Sequence, residues 1–587
     1  MANAPWLDSP DGTGTSQGTD DFGYAAPNSE GLAPRGRTPV SVERIERSDL
    51  APIVPAPNQT SNEPSRFGQG SQPATTPARI GGSATRYNGP PIWDGMTVKD
   101  IDRALGKAVF PPKSPTLANL WKKIWAQDPA RSVDNTDGQQ FQAISFEALS
   151  RSGLTDVATQ QFASLEAART APSAVATLVA ARAALVDNND EMTCNHATQL
   201  SKIASGLPDQ ATKEALFLRG YCALVEDNTA AAGLIAQLAR DAGMGDTPGL
   251  LALEAGKFSK PQRLRGNATN LSVVEAKVWQ RAGGTVGELA KSQSANAETL
   301  LALAKDKDLP GSHRVTAAES AAKRNILQPD DLASIYADVG TRPDTSRRAE
   351  LYVTAISERT PFKKVRAIRT FLDEARKAEL YTHALLMIAP SAAEVNPAAE
   401  LTWFSETAIE AALISDDVDR ARRWIDFAAR TDPVATGNLD HWAALSDILQ
   451  PPGRTDREAA LKSVEQMALG GRFGSAALHR LATVLDALDL HVPIPLWEAA
   501  SRTPQPSGGH LPETGVLSKL QAASKAKQFG ATVLLAMQSI GPGTAEQANM
   551  IALGDTIRAL KRAGQPEAAR RLGFEALFAV WPRRSTG

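Results

Sequence analysis

The two cysteines of this 587-residue chain constrain its fold more than any other feature. Both lie between Met192 and Gly243, where apolar residues recur at helical spacing on either side of a Gly-Leu-Pro-Asp turn that begins at Gly206. A glycine stop, a proline and a capping aspartate in that order end one helix and start the next. The stretch therefore predicts two antiparallel helices joined by a short turn.

Cys194 and Cys222 each lie on the inward stripe of their predicted helix. Cys194 is twelve residues before Gly206 and Cys222 is thirteen after Asp209, which at about 1.5 Å per residue puts both roughly 18 to 20 Å from the turn. We expect one disulfide that clamps the hairpin and stabilises the fold by about 3.5 kcal/mol through loop closure. The alternative is two free cysteines packed as small apolar residues in a cytosolic protein.

The rest of the chain predicts an all-α protein. Aromatic residues make up only 5% of it while alanine and leucine recur throughout, which favours thin helices packed closely by small side chains. No run of residues alternates between polar and apolar as a strand would. Paired helices are predicted over residues 97–108, 114–126, 140–151, 154–168, 172–186, 192–205, 209–226 and 228–242, and again over 346–357, 361–378, 380–388, 397–414, 417–431, 438–448, 455–469, 472–488, 493–500, 514–525, 528–539, 544–563 and 566–580.

A loose internal repeat accompanies these helix pairs. Gly153, Asp227, Asp416 and Gly564 lie in short polar turns, and five residues later come Ala158, Ala232, Ala421 and Ala569. In two cases a bulky residue follows four positions on, as Phe162 and Ile425. The pattern is similar to the second helix of a tetratricopeptide repeat, whose period is about 34 residues. We therefore expect an α-solenoid of stacked helical hairpins, elongated in shape, with the exact repeat count open.

Three regions are predicted along the chain. Residues 1–91 form a Pro/Gly-rich arm that is not expected to fold alone, because Met1 to Gly95 holds 13 of the 38 prolines. Residues 92–345 and 346–587 form two helical-repeat lobes. Within the arm, segment 40–55 is a candidate for docking, and the alternative is a disordered tail with incidental apolar residues. The apolar residues proposed to dock are Ile45, Leu50 and Ile53.

Prolines are expected to shorten and break the helices between the two predicted groups. Pro248, Pro310 and Pro329 fall in this zone, which we expect to bend the array.

The charge balance limits the kinds of partner. Formal net charge is −2 and the pI is near 6.4, so no global attraction to nucleic acid or to an anionic membrane is expected. No apolar run approaches the roughly 18 to 20 residues needed to span a bilayer. The expected partners are other proteins, with an oligomer of this chain left open.

The compartment is predicted from two conflicting signals. Residues Met1 to Pro10 have neither a basic start nor an apolar signal core, which favours the cytoplasm, whereas a facing cysteine pair favours an oxidising compartment. Ala2-Asn3-Ala4 resembles the A-x-A end of a cleaved secretory signal. We expect a periplasmic protein, with the cytoplasm as the alternative.

One helix is a candidate for partner binding. Its sequence from Arg359 to Arg369 is RTPFKKVRAIR. Lys363, Lys364, Arg366 and Arg369 are predicted on one face, and Phe362, Val365 and Ile368 on the other. The charged face fits an acidic partner or a phosphate, and the alternative is a solvated helix surface. Nucleic acid is not expected, because no aromatic residues interleave with the charges.

Tryptophans are the second candidate for partner contacts. Five of them lie within the helical patterns of the second half of the chain, at Trp403, Trp424, Trp442, Trp497 and Trp581. Core packing is the default prediction for them. The alternative is an exposed subset that lines a groove of the solenoid.

No motif for catalysis, a cofactor or a metal stands out. The seven histidines include no two spaced by three or four residues and none near a cysteine pair, so a metal site is not expected. The chain contains no H-E-x-x-H and no phosphate loop ending in Gly-Lys. Its one G-x-S-x-G match, Gly14 to Gly18, lies in the Pro/Gly-rich arm and not between a strand and a helix, so it does not predict a nucleophile elbow. We expect no catalytic residues, no cofactor and no metal.

Four segments carry a resemblance to a known family. They are DLAPIVPA (Asp49–Ala56), WDGMTVKDIDRAL (Trp93–Leu105), LFLRGYCALVEDNTAAAGLIAQLARDAG (Leu216–Gly243) and DLPGSHRVTAAESAAKRNIL (Asp308–Leu327). They are similar to a group of alphaproteobacterial proteins often labelled antifreeze-glycopeptide-like, although this chain has no antifreeze tripeptide repeat. The resemblance implies an exported, helical, tetratricopeptide-like protein with a cysteine pair matching Cys194 and Cys222. It brings no activity and no site residues.

These observations together predict a non-enzymatic scaffold for protein–protein interaction in the bacterial envelope. A structural part of a large machine such as the flagellar motor is the most concrete version. The alternatives are an accessory to a peptidoglycan-active enzyme, or a periplasmic chaperone or export factor.

Overall fold

The computed structural model describes residues 92–126, 138–203, 207, 209–264, 270–292, 294–431, 439–451, 457–469, 471, 473–504, 506 and 508–583. The chain divides into two units, Met1–Ser83 and Ala84–Gly587, and every described residue belongs to the second unit. Segment 40–55, with Ile45, Leu50 and Ile53, lies outside the described residues.

The described residues form a predominantly helical structure, as predicted. The helices of the first half are α1 (Val98–Lys107), α2 (Pro115–Trp125), α3 (Gly138–Ser152), α4 (Thr155–Ala167), α5 (Ala174–Val186), α6 (Asp190–Ile203), α7 (Asp209–Val225), α8 (Thr229–Asp241), α9 (Pro248–Ala255), α10 (Val273–Arg281), α11 (Ala297–Lys305), α12 (Gly311–Lys323) and α13 (Pro329–Val339). Those of the second half are α14 (Arg347–Ser357), α15 (Pro361–Lys377), α16 (Tyr381–Ala393), α17 (Ser405–Ile414), α18 (Val418–Thr431), α19 (His441–Leu449), α20 (Arg457–Leu469), α21 (Ser475–Ala487), α22 (Ile494–Ser501), α23 (Val516–Lys525), α24 (Phe529–Ile540), α25 (Met550–Arg562) and α26 (Pro566–Phe578).

Short 3₁₀ helices and one minimal sheet complete the described secondary structure. The 3₁₀ helices span Leu289–Lys291, Ala399–Phe404 and Ala545–Gln547. Strands β1 (Gln262–Arg263) and β2 (Gly284–Thr285) pair in parallel, with Gln262 opposite Gly284. Each strand is only two residues long, so the all-α prediction is confirmed.

Prolines in the middle zone start helices rather than break them. Pro248 and Pro329 are the first residues of α9 and α13, and Pro310 is the residue before α12. Proline is tolerated in the first turn because the backbone N–H that it lacks has no partner within the helix there. The predicted interruptions therefore occur at these prolines, as helix starts, and α9, α10 and α11 are short, with 8, 9 and 9 residues.

The turns that join paired helices share one backbone geometry. Positive φ angles occur at Gly153 (69°), Asp227 (55°), Asp416 (63°) and Gly564 (82°). The backbone N–H of the following residue then donates a hydrogen bond to a carbonyl in the last turn of the preceding helix. At the first of these turns, the Leu154 N–H donates to the Leu149 carbonyl at 2.9 Å. This hydrogen bond gives a carbonyl at the helix end a partner, and the chain reverses direction at the turn. Glycine, asparagine and aspartate suit such turns because they tolerate the left-handed conformation best.

The small residue of the predicted repeat lies where paired helices meet. Ala158, Ala232, Ala421 and Ala569 are fully buried. The same turn geometry recurs at Asn188, Glu379 and Lys527, where the buried residue five positions later is Thr193, Ala384 or Thr532. A small side chain at this point lets the two helices approach closely. The structure therefore has the helical-hairpin solenoid that the repeat predicts.

A disulfide joins the two helices of the α6–α7 hairpin. Cys194 and Cys222 are bonded with an S–S distance of 2.09 Å and a Cα–Cα distance of 5.6 Å. The predicted disulfide is confirmed, and the alternative of two free cysteines is wrong. The bond ties α6 to α7 far from the turn that connects them.

Tyrosine–carboxylate–arginine links join the hairpins through polar contacts. In each link a carboxylate accepts a hydrogen bond from a tyrosine hydroxyl and pairs with an arginine from another part of the chain. The links are Asp190–Tyr221–Arg281, Glu319–Tyr336–Arg348 and Glu410–Tyr381–Arg583. In the second, the Tyr336 hydroxyl and the Arg348 Nε donate to one oxygen of Glu319 at 2.7 and 2.8 Å. Glu319 and Glu410 are buried, so breaking either of their contacts leaves the carboxylate poorly satisfied, and these two links each stabilise three elements in one arrangement.

The first helices of the described chain lie against the last ones. Helix α2 contacts α24 and α26, and the N–H of Gly530 donates to the carbonyl of Ile92 at 2.9 Å. Glu575 of α26 accepts hydrogen bonds from the Ser114 hydroxyl at 3.0 Å and the Thr116 N–H at 3.1 Å. The first and last described helices of the solenoid are therefore in contact.

Candidate interaction surface

The basic helix predicted from the sequence is α15. The exposure of the side chains in its first turns agrees only partly with the prediction. Lys363 and Arg366 are exposed, as the prediction requires, and Arg369 is half-buried. Lys364, predicted on the same exposed face, is buried with only 4% of its surface accessible. Phe362, predicted on the inward face, is 43% exposed. The predicted faces were therefore wrong for these last two residues.

Lys364 is a structural residue rather than a surface charge. Its ammonium group pairs with the carboxylate of Glu394, which follows α16 and is itself 66% exposed. The lysine stem is covered while its charged end reaches a partner at the boundary with solvent. Because Lys364 is buried and its ammonium group is already paired, we remove it from the candidate binding residues.

Phe362 pairs with a second exposed aromatic residue, Trp403. The two ring centroids are 6.5 Å apart in an edge-to-face arrangement with an interplanar angle of 79°. Trp403 belongs to the 3₁₀ helix Ala399–Phe404, which packs against α15. Leu401 and Phe404 anchor that 3₁₀ helix in the core, and Trp403 is left 40% exposed. The short helix therefore positions the indole beside the phenyl ring on the outside of the protein.

Three exposed cations lie close in sequence to Phe362 at the start of α15. Arg359, Lys363 and Arg366 are spaced by four and three residues, and all three are exposed. The Arg366 guanidinium lies 5.9 Å from the centre of the Phe362 ring, within the range of a cation–π contact. We call these residues, Phe362, Trp403, Arg359, Lys363 and Arg366, the aromatic–cation surface.

The cations of this surface form no ion pair with any residue that the structure describes. Arg369, one turn further along α15, approaches Asp373 at 3.8 Å. Glu358 accepts hydrogen bonds from the backbone N–H groups of Arg359 and Thr360 at 2.9 and 2.8 Å. The aromatic–cation surface thus has a local excess of positive charge, although the whole chain carries a formal charge of −2.

The tryptophans of the second half divide into two groups. Trp424, Trp442 and Trp581 are buried at 0 to 2% exposure, as core packing predicts. Trp403 and Trp497 are 40% and 47% exposed. Core packing is therefore confirmed for three of the five tryptophans, while a groove lined by the two exposed ones stays a prediction. Of these two, only Trp403 has an exposed aromatic neighbour among the described ring contacts.

A cluster of charged residues lies inside the first half of the solenoid. The Arg182 guanidinium is buried among three carboxylates: it pairs with Glu214 and lies 3.8 Å from Glu147 and 4.0 Å from Glu298. The Ser150 hydroxyl donates to Glu298 at 2.6 Å. Burial raises the pKa of Glu298 to about 7 despite the nearby arginine. These contacts join α3, α5, α7 and α11, and we interpret the cluster as structural.

A small groove lies beside the disulfide hairpin. It has a volume of about 90 Å³ and is lined by residues of α4, α5 and α6, including Phe162, Met192 and His196. Pockets that hold small molecules measure roughly 300 to 1,000 Å³. The groove is therefore too small for a substrate or cofactor.

In the described part of the chain, no three or more histidine, cysteine, aspartate or glutamate side chains converge as metal ligands would. None of the helices described is both long and apolar enough to cross a membrane.

Comparison with known proteins found no relative. No family model matches the chain, and no curated protein and no solved structure is similar to it.

Proposed function

We propose that this protein is a non-enzymatic scaffold for protein–protein interaction in the periplasm of a bacterium. The observation that carries the proposal is the aromatic–cation surface on a cross-linked helical body. Two large rings that remain exposed in contact with each other, beside three unpaired cations, are typical of surfaces that a partner covers.

Burial of the two rings by a partner would contribute favourably to the free energy of binding. Rings of this size bury 150 to 250 Å² in full, so an exposure near 40% leaves roughly 80 Å² of each ring open. At about 25 cal/mol per Å², burial of both is worth about 4 kcal/mol. Such a gain, added to charge pairing at the rim, is enough to anchor a partner segment.

The body that carries this surface is suited to act as a rigid platform. The Glu319 and Glu410 links tie α12 to α14 and α16 to the end of the chain, on either side of α15 along the sequence. A partner then binds to a preformed surface and loses little binding energy to ordering of the scaffold.

The periplasmic part of the proposal is supported by the disulfide between Cys194 and Cys222. Structural disulfides persist in oxidising compartments such as the periplasm and are rare in the cytosol. The fold and the disulfide fit an exported protein of the alphaproteobacterial group named above. We extend the proposal to a structural component of a large envelope machine such as the flagellar motor.

Site-specific crosslinking in cells tests the proposed function. A photo-crosslinking amino acid would replace the exposed residue Thr370, which lies one turn after Arg366 on α15. The matched control position is the exposed residue Ser518 on α23. We expect one discrete partner from Thr370, present in stable amounts, and none from Ser518.

The result would also separate the alternatives. Many weakly captured partners that turn over with export would favour a chaperone or export factor. No crosslink from Thr370, together with purification of the protein from cells as a monomer without companions, would contradict the scaffold.

A further inference from the structure

We propose that the aromatic–cation surface binds a short acidic segment of a partner protein, with an apolar or aromatic side chain set among its carboxylates. This inference rests on the proposed function and names the chemistry of the partner at that site.

Charge complementarity is the first step of the argument. Arg359, Lys363 and Arg366 have no carboxylate partner among the described residues, whereas the arginines of the tyrosine links and Lys364 are all paired. The pKa of the neighbouring Glu358 is lowered by the Thr360 N–H that it accepts and also by Lys363, so this carboxylate is charged, and Glu400 lies exposed at the start of the 3₁₀ helix that carries Trp403. Three cations and two carboxylates leave a net positive charge here, and a partner that supplies carboxylates would match it.

The aromatic pair is the second step. Phe362 and Trp403 lie in contact, both rings are half-exposed, and Arg366 borders the phenyl ring at 5.9 Å. An apolar side chain of the partner would cover the rings while neighbouring carboxylates reach the three cations. The site therefore requires both features in one segment, because charge alone would leave the rings in water.

The spacing of the cations sets the length of the segment. Arg359 lies two residues before α15 begins and Arg366 is five residues into it, so at about 1.5 Å per helical residue and up to about 3.3 Å per residue before the helix the two positions are roughly 10 to 14 Å apart. An extended peptide advances about 3.3 Å per residue, so three or four partner residues span the cations. We expect a recognition core of about five or six residues, counting the apolar anchor.

A peptide fits this surface better than nucleic acid or a membrane. Proteins that bind single strands track the phosphates along a basic groove with several stacking rings, whereas this surface has three cations and two rings that contact each other. Adsorption to anionic lipid uses a larger basic and apolar helix face. On α15 that face is interrupted, because Asp373 and Glu374 follow Arg369.

Fluorescence anisotropy with labelled peptides and the purified full-length protein tests the inference. The probe is GDELDFEDG, compared with GNQLNFQNG, which lacks the charges, and GDEADAEDG, which lacks the apolar anchors. We expect only GDELDFEDG to bind, with an affinity that falls as salt increases. Binding should weaken roughly tenfold or more in Phe362→Ala and in the double variant Lys363→Glu with Arg366→Glu.

A charge-reversal control keeps the test specific. Lys519→Glu with Lys525→Glu changes net charge by the same amount on the exposed face of α23 and should alter the affinity by less than about twofold. Circular dichroism and thermal unfolding would check that each variant folds. If Phe362→Ala fails to fold, Trp403→Phe tests the same contact.

Several outcomes would overturn the inference. Equal binding of GNQLNFQNG, or unchanged binding of GDELDFEDG by the charge-reversed variant, would remove the acidic segment as the ligand. Binding of phosphatidylglycerol vesicles or of a single-stranded oligonucleotide without peptide binding would point to another ligand. Concentration-dependent self-association that Lys363→Glu with Arg366→Glu abolishes, without peptide binding, would identify a second copy of this chain as the occupant.

The crosslinking experiment distinguishes failure of this inference from failure of the proposed function. If Thr370 still captures its partner in the charge-reversed variant, the scaffold remains and the acidic chemistry is wrong. If no partner is captured at all, the proposed function itself fails.

Discussion

Substitution of Glu575 by glutamine should remove a pH-dependent loss of stability. Glu575 lies on α26 and accepts two hydrogen bonds from the start of α2, at 3.0 Å from the Ser114 hydroxyl and 3.1 Å from the Thr116 N–H. Its other oxygen is buried and has no hydrogen-bond partner. Burial raises the pKa of this carboxyl to about 7, against 4.5 when it is exposed, and the two hydrogen bonds only partly offset that effect.

The sign of the pH dependence follows from the raised pKa. A carboxyl whose pKa is higher in the folded protein contributes stability below its unfolded pKa of 4.5, and that stability is lost as the pH rises through about 7. The difference between these pKa values corresponds to about 3 kcal/mol, at about 1.36 kcal/mol per pH unit. Most of this loss falls between pH 5 and pH 8.

The substitution Glu575→Gln keeps a carbonyl oxygen for the two donors and has no charge to bury. We expect it to raise the melting temperature at pH 8 by about 3 °C, because unfolding of roughly 500 residues carries an entropy of about 1 kcal/mol per degree. At pH 5 the change should be about 1 °C or less. Differential scanning calorimetry of both proteins at each pH measures the effect, with Glu567→Gln as the matched control on the exposed side of α26.

A second readout tests where the effect arises. Hydrogen exchange at pH 8, corrected for its intrinsic pH dependence, should slow in α2 of the glutamine variant because α2 is the helix that Glu575 holds. The reasoning is refuted if wild type and Glu575→Gln show the same dependence of melting temperature on pH, or if Glu567→Gln shows the same change.

Three further predictions concern stability. Reduction of the Cys194 disulfide should lower the unfolding free energy by about 3.5 kcal/mol and the melting temperature by about 3 °C, and alkylation of two thiols under non-reducing conditions would contradict the bond. Lys364→Ala should lower the free energy of unfolding by about 1 to 2 kcal/mol, because it removes a buried side-chain stem and an ion pair. Lys363→Ala, at the exposed neighbouring position, should lower it by less than about 0.5 kcal/mol. Equal melting temperatures for the two variants would be evidence against these placements. Gly530→Ala places a Cβ 2.6 Å from the Ile92 carbonyl and should destabilise by about 1 to 3 kcal/mol. Gly233→Ala in α8, where nothing lies within 4 Å, should instead stabilise by up to about 1 kcal/mol, and the same sign for both glycines would count against the close contact at Ile92.

Most helices could be predicted because their ends are encoded locally. Thr97 and Ser114 accept hydrogen bonds from the first turns of α1 and α2, and residues with positive φ such as Asp416 close the hairpins. These effects act within one turn of the chain, so a single sequence is enough to detect them. The disulfide was predictable for a related reason, since both cysteines lie in one hairpin and their positions depend only on helical geometry.

The side chains around the candidate surface were harder to predict, because their exposure depends on distant residues. Helical spacing alone assigned Phe362 to the inward face and Lys364 to the outward one. In the structure Glu394, thirty residues later, pairs with the buried Lys364 at the boundary with solvent, and Trp403 meets Phe362 at the surface. Neither partner can be read from the periodicity of α15.

Contact between the two ends of the solenoid was also beyond local patterns. Gly530 and Glu575 meet residues more than four hundred positions away. The hydrophobic stripe of α2 predicts that this helix is covered, and the sequence does not say by what. The repeat pattern describes each hairpin and its neighbours in sequence, so it does not predict contacts between distant hairpins.

Hydrogen exchange of the purified protein with and without GDELDFEDG tests the central claim most directly. We predict slower exchange in the first turns of α15 and in the 3₁₀ helix Ala399–Phe404 when the peptide is present, with no change in α23. No protection at either element, or protection confined to another part of the protein, would contradict a partner-binding scaffold that acts through the aromatic–cation surface.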